Sequence, residues 1–210
     1  MNALSQTLTR EVSRWLTRDR SEETPAVIPV RTLSLPGGPV RLRRRHDSDL
    51  DACTRVLRGI SSGGKYPLPR PVSHRGWLGD DVLGAWVAER QGTVLGHVAI
   101  ARVGTGTASA MRWREVTGRS TDDLALVSRF FVRLPDRGQG IGTALLAAAV
   151  SGARARGRVP VADAVNPSRF GAPIYDHHGW RLAARDPFGG RGDPRTAYLY
   201  VLPAAVLAAD

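Results

Sequence analysis

The sequence predicts an α/β fold: a mixed, mostly antiparallel sheet with helices on both faces. Three observations predict it. Residues 83–89 and 93–101 flank Gln91-Gly92 as the two strands and the turn of a hairpin. Residues 124–132, Leu-Ala-Leu-Val-Ser-Arg-Phe-Phe-Val, are nearly continuous in apolar and aromatic side chains, the pattern of a strand covered on both faces. From that strand a glycine-rich loop leads into an apolar helix, and strand and helix go on alternating behind it.

Composition sets the bounds. The chain has 210 residues, 42% hydrophobic and 23% charged, which excludes a chain disordered throughout. At roughly 150 residues per domain, one domain with an extension is expected. The longest apolar runs, 144–150 and the Pro-interrupted 201–209, fall short of the ~18 residues a membrane span needs, so no membrane partner is expected. Cys53 is the only cysteine, which excludes an intrachain disulfide and a cysteine-built zinc site and is compatible with a cytoplasmic setting. Thirty basic residues against 19 acidic ones give a net charge of +11, which favours anionic partners, phosphate-bearing cofactors among them. The arginines are scattered and no aromatic-basic platform is visible, so no nucleic-acid partner is expected.

The elements follow in order. Leu4, Leu8, Val12, Trp15 and Leu16 share one face of a helix. Residues 21–39 carry Pro25, Pro29, Pro36, Gly37 and Gly38 and read as a linker. Residues 1–38 are therefore expected to be an amphipathic helix and linker, and residues 39–210 the compact domain. The helix can pack on that domain or on a second copy, which leaves a homodimer open. Val40-Arg-Leu-Arg is a short strand, and Asp47 or Ser48 caps a helix whose apolar face is Leu50, Cys53, Val56, Leu57 and Ile60. Residues 61–79 form a long Gly/Pro-rich loop, of the length that is usually functional. After the hairpin, residues 108–114 read as helix with Gly118 ending it. Behind the central strand come a loop over 133–140, a helix to about Arg156, a strand over 159–165, a short helix around 173–178, and a β pair at 180–183 and 197–202.

The sharpest chemical signal is Val132-Arg-Leu-Pro-Asp-Arg137-Gly138-Gln139-Gly140-Ile141-Gly142-Thr143. Glycine permits a tight path and close approach of a ligand, and the first turn of the helix offers free amides and partial positive charge. Arg137 adds charge-assisted hydrogen bonds. A nucleoside-triphosphate loop would end in Gly-Lys-Ser/Thr, and no lysine is present here; the dinucleotide fingerprint would need glycine where Thr143 stands. What remains is Arg137-x-x-Gly140-x-Gly142. With Asn166 after a strand, and Tyr175-Asp-His-His-Gly179-Trp180 beyond it, the chain resembles the GNAT superfamily of N-acetyltransferases over about residues 40–202.

The resemblance implies a sheet of six or seven strands with a splayed central pair and acetyl-CoA, the acetyl donor, between them. Main-chain groups of Phe131, Val132 and Arg133 would pair with the pantetheine arm by strand addition. Amides from Arg137, Gly138, Gln139, Gly140, Ile141, Gly142 and Thr143 would hold the pyrophosphate. Asn166 would bond the cofactor arm, and Tyr175 would protonate the departing thiolate. A bulge is expected near Ser128–Phe131. The stretch from Asn166 to Tyr175 is longer than the family's usual spacing and holds Gly171 and Pro173. The acceptor is a small-molecule or peptide amine, and residues 61–79 and 102–123 would shape its pocket. The alternative is a non-catalytic acyl-CoA-binding sensor or scaffold.

Other residues carry plainer readings. Glu115, Asp122 and Asp123 lie upstream of the central strand, where an acid is often placed in the family, but read as surface charges, so no general base is identified. His97 reads as a strand histidine with no catalytic part. His177 and His178 point in different directions on a helix, and no metal is expected. Arg41, Arg43, Arg44 and Arg45 read as a solvated strand edge, and Cys53 as an inert core thiol.

Overall fold

Residues 31–38, expected to be linker, open the sheet instead. The structure is a computed structural model and describes residues 31–61, 66, 73–104, 108–165, 172–187 and 195–203. Strand β1 (Arg31–Leu35) pairs antiparallel with β2 (Gly38–Arg44), Leu33 opposite Val40. Leu33 and Leu35 alternate with Ser34, while Gly37 (φ 86°) and Gly38 (φ 106°) supply the left-handed backbone that so short a reversal needs. The helix expected over Leu4–Leu16, and Asn166, lie outside the described residues.

The remaining strands are β3 (Val82–Arg90), β4 (Thr93–Ala101), β5 (Leu124–Val132), β6 (Val159–Val165), β7 (Arg181–Pro187) and β8 (Thr196–Val201). The eight described strands form one sheet in the order β1-β2-β3-β4-β5-β6-β8-β7. The pairs β1·β2, β2·β3, β3·β4, β6·β8 and β7·β8 are antiparallel. The α/β class and the mostly antiparallel sheet are as the sequence predicts, and β1 takes the strand count to eight.

The described residues fall into two compact units, one holding 31–101 and 127–152, the other 102–126 and 153–203. In the first, helix α1 (Leu50–Ser61) turns Leu50, Cys53 and Leu57 onto Leu78, Val87, Val94 and Phe131. Burial pushes the Cys53 thiol up to about 12, so it stays protonated and inert. Helix α2 (His74–Gly79) lies within the segment expected to be loop, its start capped by Ser73, whose hydroxyl accepts from the Gly76 amide at 3.2 Å. The β3–β4 turn places Gln91 at φ 47° and Gly92 at φ 77°, the paired left-handed residues of a two-residue hairpin turn. Trp86 points away from its neighbour Val87 and packs on Gly152 in helix α4 (Ile141–Arg154). A Cβ at Gly152 would fall 2.1 Å from the indole, so only glycine fits there. Gly96 serves the same end, since a Cβ there would meet Leu145 and the Phe131 carbonyl, each at 2.9 Å.

The arginine run beside β2 is not a solvated edge throughout. Arg43 forks between Asp49 (2.7 and 2.9 Å) and Glu89 (2.7 Å), which raises its own pKa and holds both carboxyls below their ordinary range. Arg41 and Arg44 are exposed. Alternation along the strand buries Val40 and Leu42 on one side and leaves Arg41 and Arg43 on the other, where Arg43 is held by its two acids.

In the second unit, helix α3 (Ala108–Thr117) sets Trp113 and Val116 against Leu124, Val161, Leu199 and Val201. It ends at Gly118, which has φ 66°. Arg112 ties it to β7 through Asp186 at 2.8 Å. Helix α5 (Ala172–His177) follows β6 in the chain.

Candidate active site

The loop after β5 is anchored before it opens. The Arg133 amide donates to the Leu95 carbonyl at 2.7 Å, and its own carbonyl accepts from the Asp136 amide at 3.0 Å. Both main-chain groups of Arg133 therefore already have partners within the chain. The reason is the tight 3-10 turn Leu134–Asp136, which folds the chain back as the strand ends. Asp136 is buried, bonds Arg133 Nε at 2.5 Å and lies 3.8 Å from Arg90, so it pins the turn to the end of β3.

Beyond the turn the geometry suits an anion. Gly138 (φ 76°) and Gly140 (φ 82°) are left-handed, and nothing lies within 4 Å of where their Cβ atoms would be. Conformation therefore requires glycine here, and the space above the loop stays open. The first i→i−4 bond of α4 runs from the Ala144 amide to the Gly140 carbonyl at 3.1 Å, so the amides of Ile141 and Gly142 have no acceptor within the helix. Ile141 anchors the helix start in the core, and Thr143 is exposed on the same turn. Arg137 is exposed and folds back, its Nε donating to the Val132 carbonyl at 3.1 Å. The buried Gln139 Oε1 has no hydrogen-bond partner. Helix dipole, open glycines and Arg137 together make a cradle for a phosphate-type anion. Phe131 and Val132, just upstream, are buried, and Arg129 lies at φ 52°, breaking the extended run where a bulge is expected.

Tyr175 lies in the second unit, on α5. It is 6% exposed, stacked on Tyr200 (centroids 4.9 Å apart) and edge-on to Trp180 (5.3 Å). Burial first, then the charge of Asp163, push its phenol above the ordinary range, so it holds its proton. Asp163, on β6, was not singled out by the sequence. Alternation makes it an outward position among Val161, Ala162, Ala164 and Val165, and it is exposed there, while desolvation of the carboxyl pushes its pKa up. Of the acids expected upstream of β5, Glu115 is paired with Arg112 at 2.9 Å, and Asp122 and Asp123 are exposed on a 3-10 turn. Among the described residues no three His, Cys, Asp or Glu side chains gather as metal ligands, and no helix is long and apolar enough to cross a membrane. A groove of about 440 Å³ opens in the first unit beside Arg133, Leu134 and Pro135, against Val56 and Ile60 of α1.

Comparison with known proteins places this geometry. Residues 82–182 match the family model described as an acetyltransferase (GNAT) domain. That span, just under half of the chain, is similar to a GNAT domain. The match runs from the start of β3 into β7, so the glycine loop, Asp163 and Tyr175 fall inside the matched span, and β1, β2, α1 and α2 precede it. Solved GNAT-like structures agree in fold. The yncA protein of Salmonella typhimurium, solved with its cofactor acetyl-CoA, is 18% identical, with 81% of this chain and 99% of that one covered at a TM-score of 0.60. The GNAT domain of S. lividans PAT is 21% identical, covering 82% and 97% at 0.58. The ribosomal-protein-S18-alanine N-acetyltransferase of Escherichia coli is 15% identical, covering 81% and 96% at 0.56. No curated protein matched the chain.

Proposed function

We propose that the protein transfers an acetyl group from acetyl-CoA to a primary amine by direct attack in a ternary complex. The observation that carries this reading is the open cradle at the start of α4, where left-handed Gly138 and Gly140 clear the approach to the helix N-terminus. The GNAT domain match and the acetyl-CoA held by the yncA protein support it. Amides from Arg137 to Thr143 hold the pyrophosphate, the main chain of Phe131, Val132 and Arg133 lines the pantetheine arm, and Asn166 bonds the same arm. The amine nitrogen attacks the thioester carbonyl, the C–S bond breaks, and the thiolate takes a proton from Tyr175. The proton that the attacking nitrogen sheds passes to solvent water. The acceptor is a small-molecule or peptide amine.

The test is thiol release from acetyl-CoA across a panel of amines, peptides with free N-termini included. Wild-type protein is expected to turn over at least one of them. Tyr175→Phe is expected to lower kcat by about 100-fold, the scale of one general acid, with the KM for acetyl-CoA held. Acetyl-CoA binding without turnover on any amine, together with an indifferent Tyr175→Phe, would favour the non-catalytic sensor instead.

A further inference from the structure

We infer that His97 is a positioning residue for the acyl-CoA site: it holds the carbonyl of the left-handed Arg129 and so fixes the Phe131–Val132 main chain. The inference rests on the acyl-CoA reading above. A left-handed residue inside a strand turns its peptide groups off the ladder, and a carbonyl left buried without a partner costs about 1–3 kcal/mol. His97, on β4 and fully buried, meets that carbonyl with Nδ1 at 2.8 Å. Its ring lies flat on Phe131, with centroids 5.3 Å apart and planes 21° apart. One imidazole thus grips the strand twice, by the carbonyl of Arg129 and by the side chain two residues on.

The tautomer follows from the surroundings. Nδ1 faces a carbonyl, which only accepts, so Nδ1 carries the proton. Nε2 faces Arg45 Nη1 at 3.5 Å, a group that only donates, so Nε2 is bare. Burial foremost, with the guanidiniums of Arg45 and Arg129 adding to it, keeps the ring neutral.

Arg129 is held by its side chain as well. Arg129 Nε donates to the Trp77 carbonyl, and Nη2 to the Asp80 carbonyl at 2.8 Å, with the guanidinium over the Trp77 ring at 5.4 Å. Arg45 Nη1 donates to the Leu78 carbonyl at 2.5 Å. Two guanidiniums therefore meet the carbonyl end of α2, where the helix favours positive charge. With its main chain on His97 and its side chain on α2, Arg129 has no room to relax its left-handed conformation. None of this needs His97 to touch a ligand.

The experiment is calorimetric titration of the full chain with acetyl-CoA, comparing wild type, His97→Leu and His97→Asn. The amide of asparagine places an N–H close to where Nδ1 stood, whereas leucine fills the volume and offers no donor. The Leu variant is expected to bind at least tenfold more weakly, and the Asn variant to recover affinity to within threefold of wild type. A folded Leu variant that binds as wild type does overturns the inference alone, as does an Asn variant as weak as Leu. If wild type itself binds no acetyl-CoA, the functional reading falls and takes this inference with it. Nitrogen-15 NMR of the wild-type ring stands apart from the variants' folding: a proton on Nδ1 and a bare Nε2 are expected, and a proton on Nε2 overturns the inference.

Discussion

In the loop from Arg137 to Gly142 the backbone sets the geometry, whereas around Tyr175 packing sets it. Gly138 and Gly140 are left-handed with empty space where a side chain would stand. Tyr175 is enclosed, face-on to Tyr200 and edge-on to Trp180. The first region can lose its function without unfolding, because what it needs is a conformation and an open approach. The second cannot lose its ring without losing stability, because the ring that would give the proton is also core.

The largest expected effect breaks the second region. Tyr175→Ala should destabilise the fold by about 3–5 kcal/mol, the scale of a large aromatic truncation. Urea unfolding checks this, and a change under 1 kcal/mol would mean that packing does not hold Tyr175. A smaller effect tests the strand that feeds the loop. Burial lowers the folded His97 pKa to about 3, against ~6.5 in an unfolded chain. Between those values the unfolded chain holds a proton that the folded one does not. Stability is therefore full above pH ~6.5 and falls as pH drops, by up to ~1.4 kcal/mol per pH unit. His97→Asn removes this slope, so from pH 6.5 to 4.5 it should lose about 2 kcal/mol less stability than wild type. Thermal unfolding at stepped pH checks it, and parallel curves would contradict it. The smallest effect is that of Gly140→Asp on stability, about 1 kcal/mol for an L residue held left-handed. A thermal melt that collapses instead would show the loop to be core after all.

The contrast also marks what could be read from the sequence. The glycine loop was legible because its determinants are consecutive: strand, arginine, spaced glycines, apolar helix. The hairpin turn and the alternation behind it were legible for the same reason. Strand β1 was not, because Pro36 and the two glycines outweigh a three-residue Leu-Ser-Leu alternation when no partner is known. Helix α2 was hidden in a Gly/Pro-rich segment, and what meets its carbonyl end comes from Arg45 and Arg129, far away in the chain. The same distance hides the fork of Arg43 with Asp49 and Glu89, which turned a charge run into part of the frame. Asp163 alternates as an outward residue, and only the folded surroundings raise its carboxyl. Nor does the sequence announce that the Leu134–Asp136 turn and Leu95 engage the main chain of Arg133.

The most direct measurement is calorimetric titration with acetyl-CoA of wild type beside the Arg137→Ala, Gly140→Asp double variant. The account predicts saturable binding by wild type and a loss of at least 100-fold, about 3 kcal/mol, in a variant that still melts cooperatively. Equal binding by both would move the cofactor off the start of α4, and no binding by well-folded wild type would contradict the acetyltransferase reading itself.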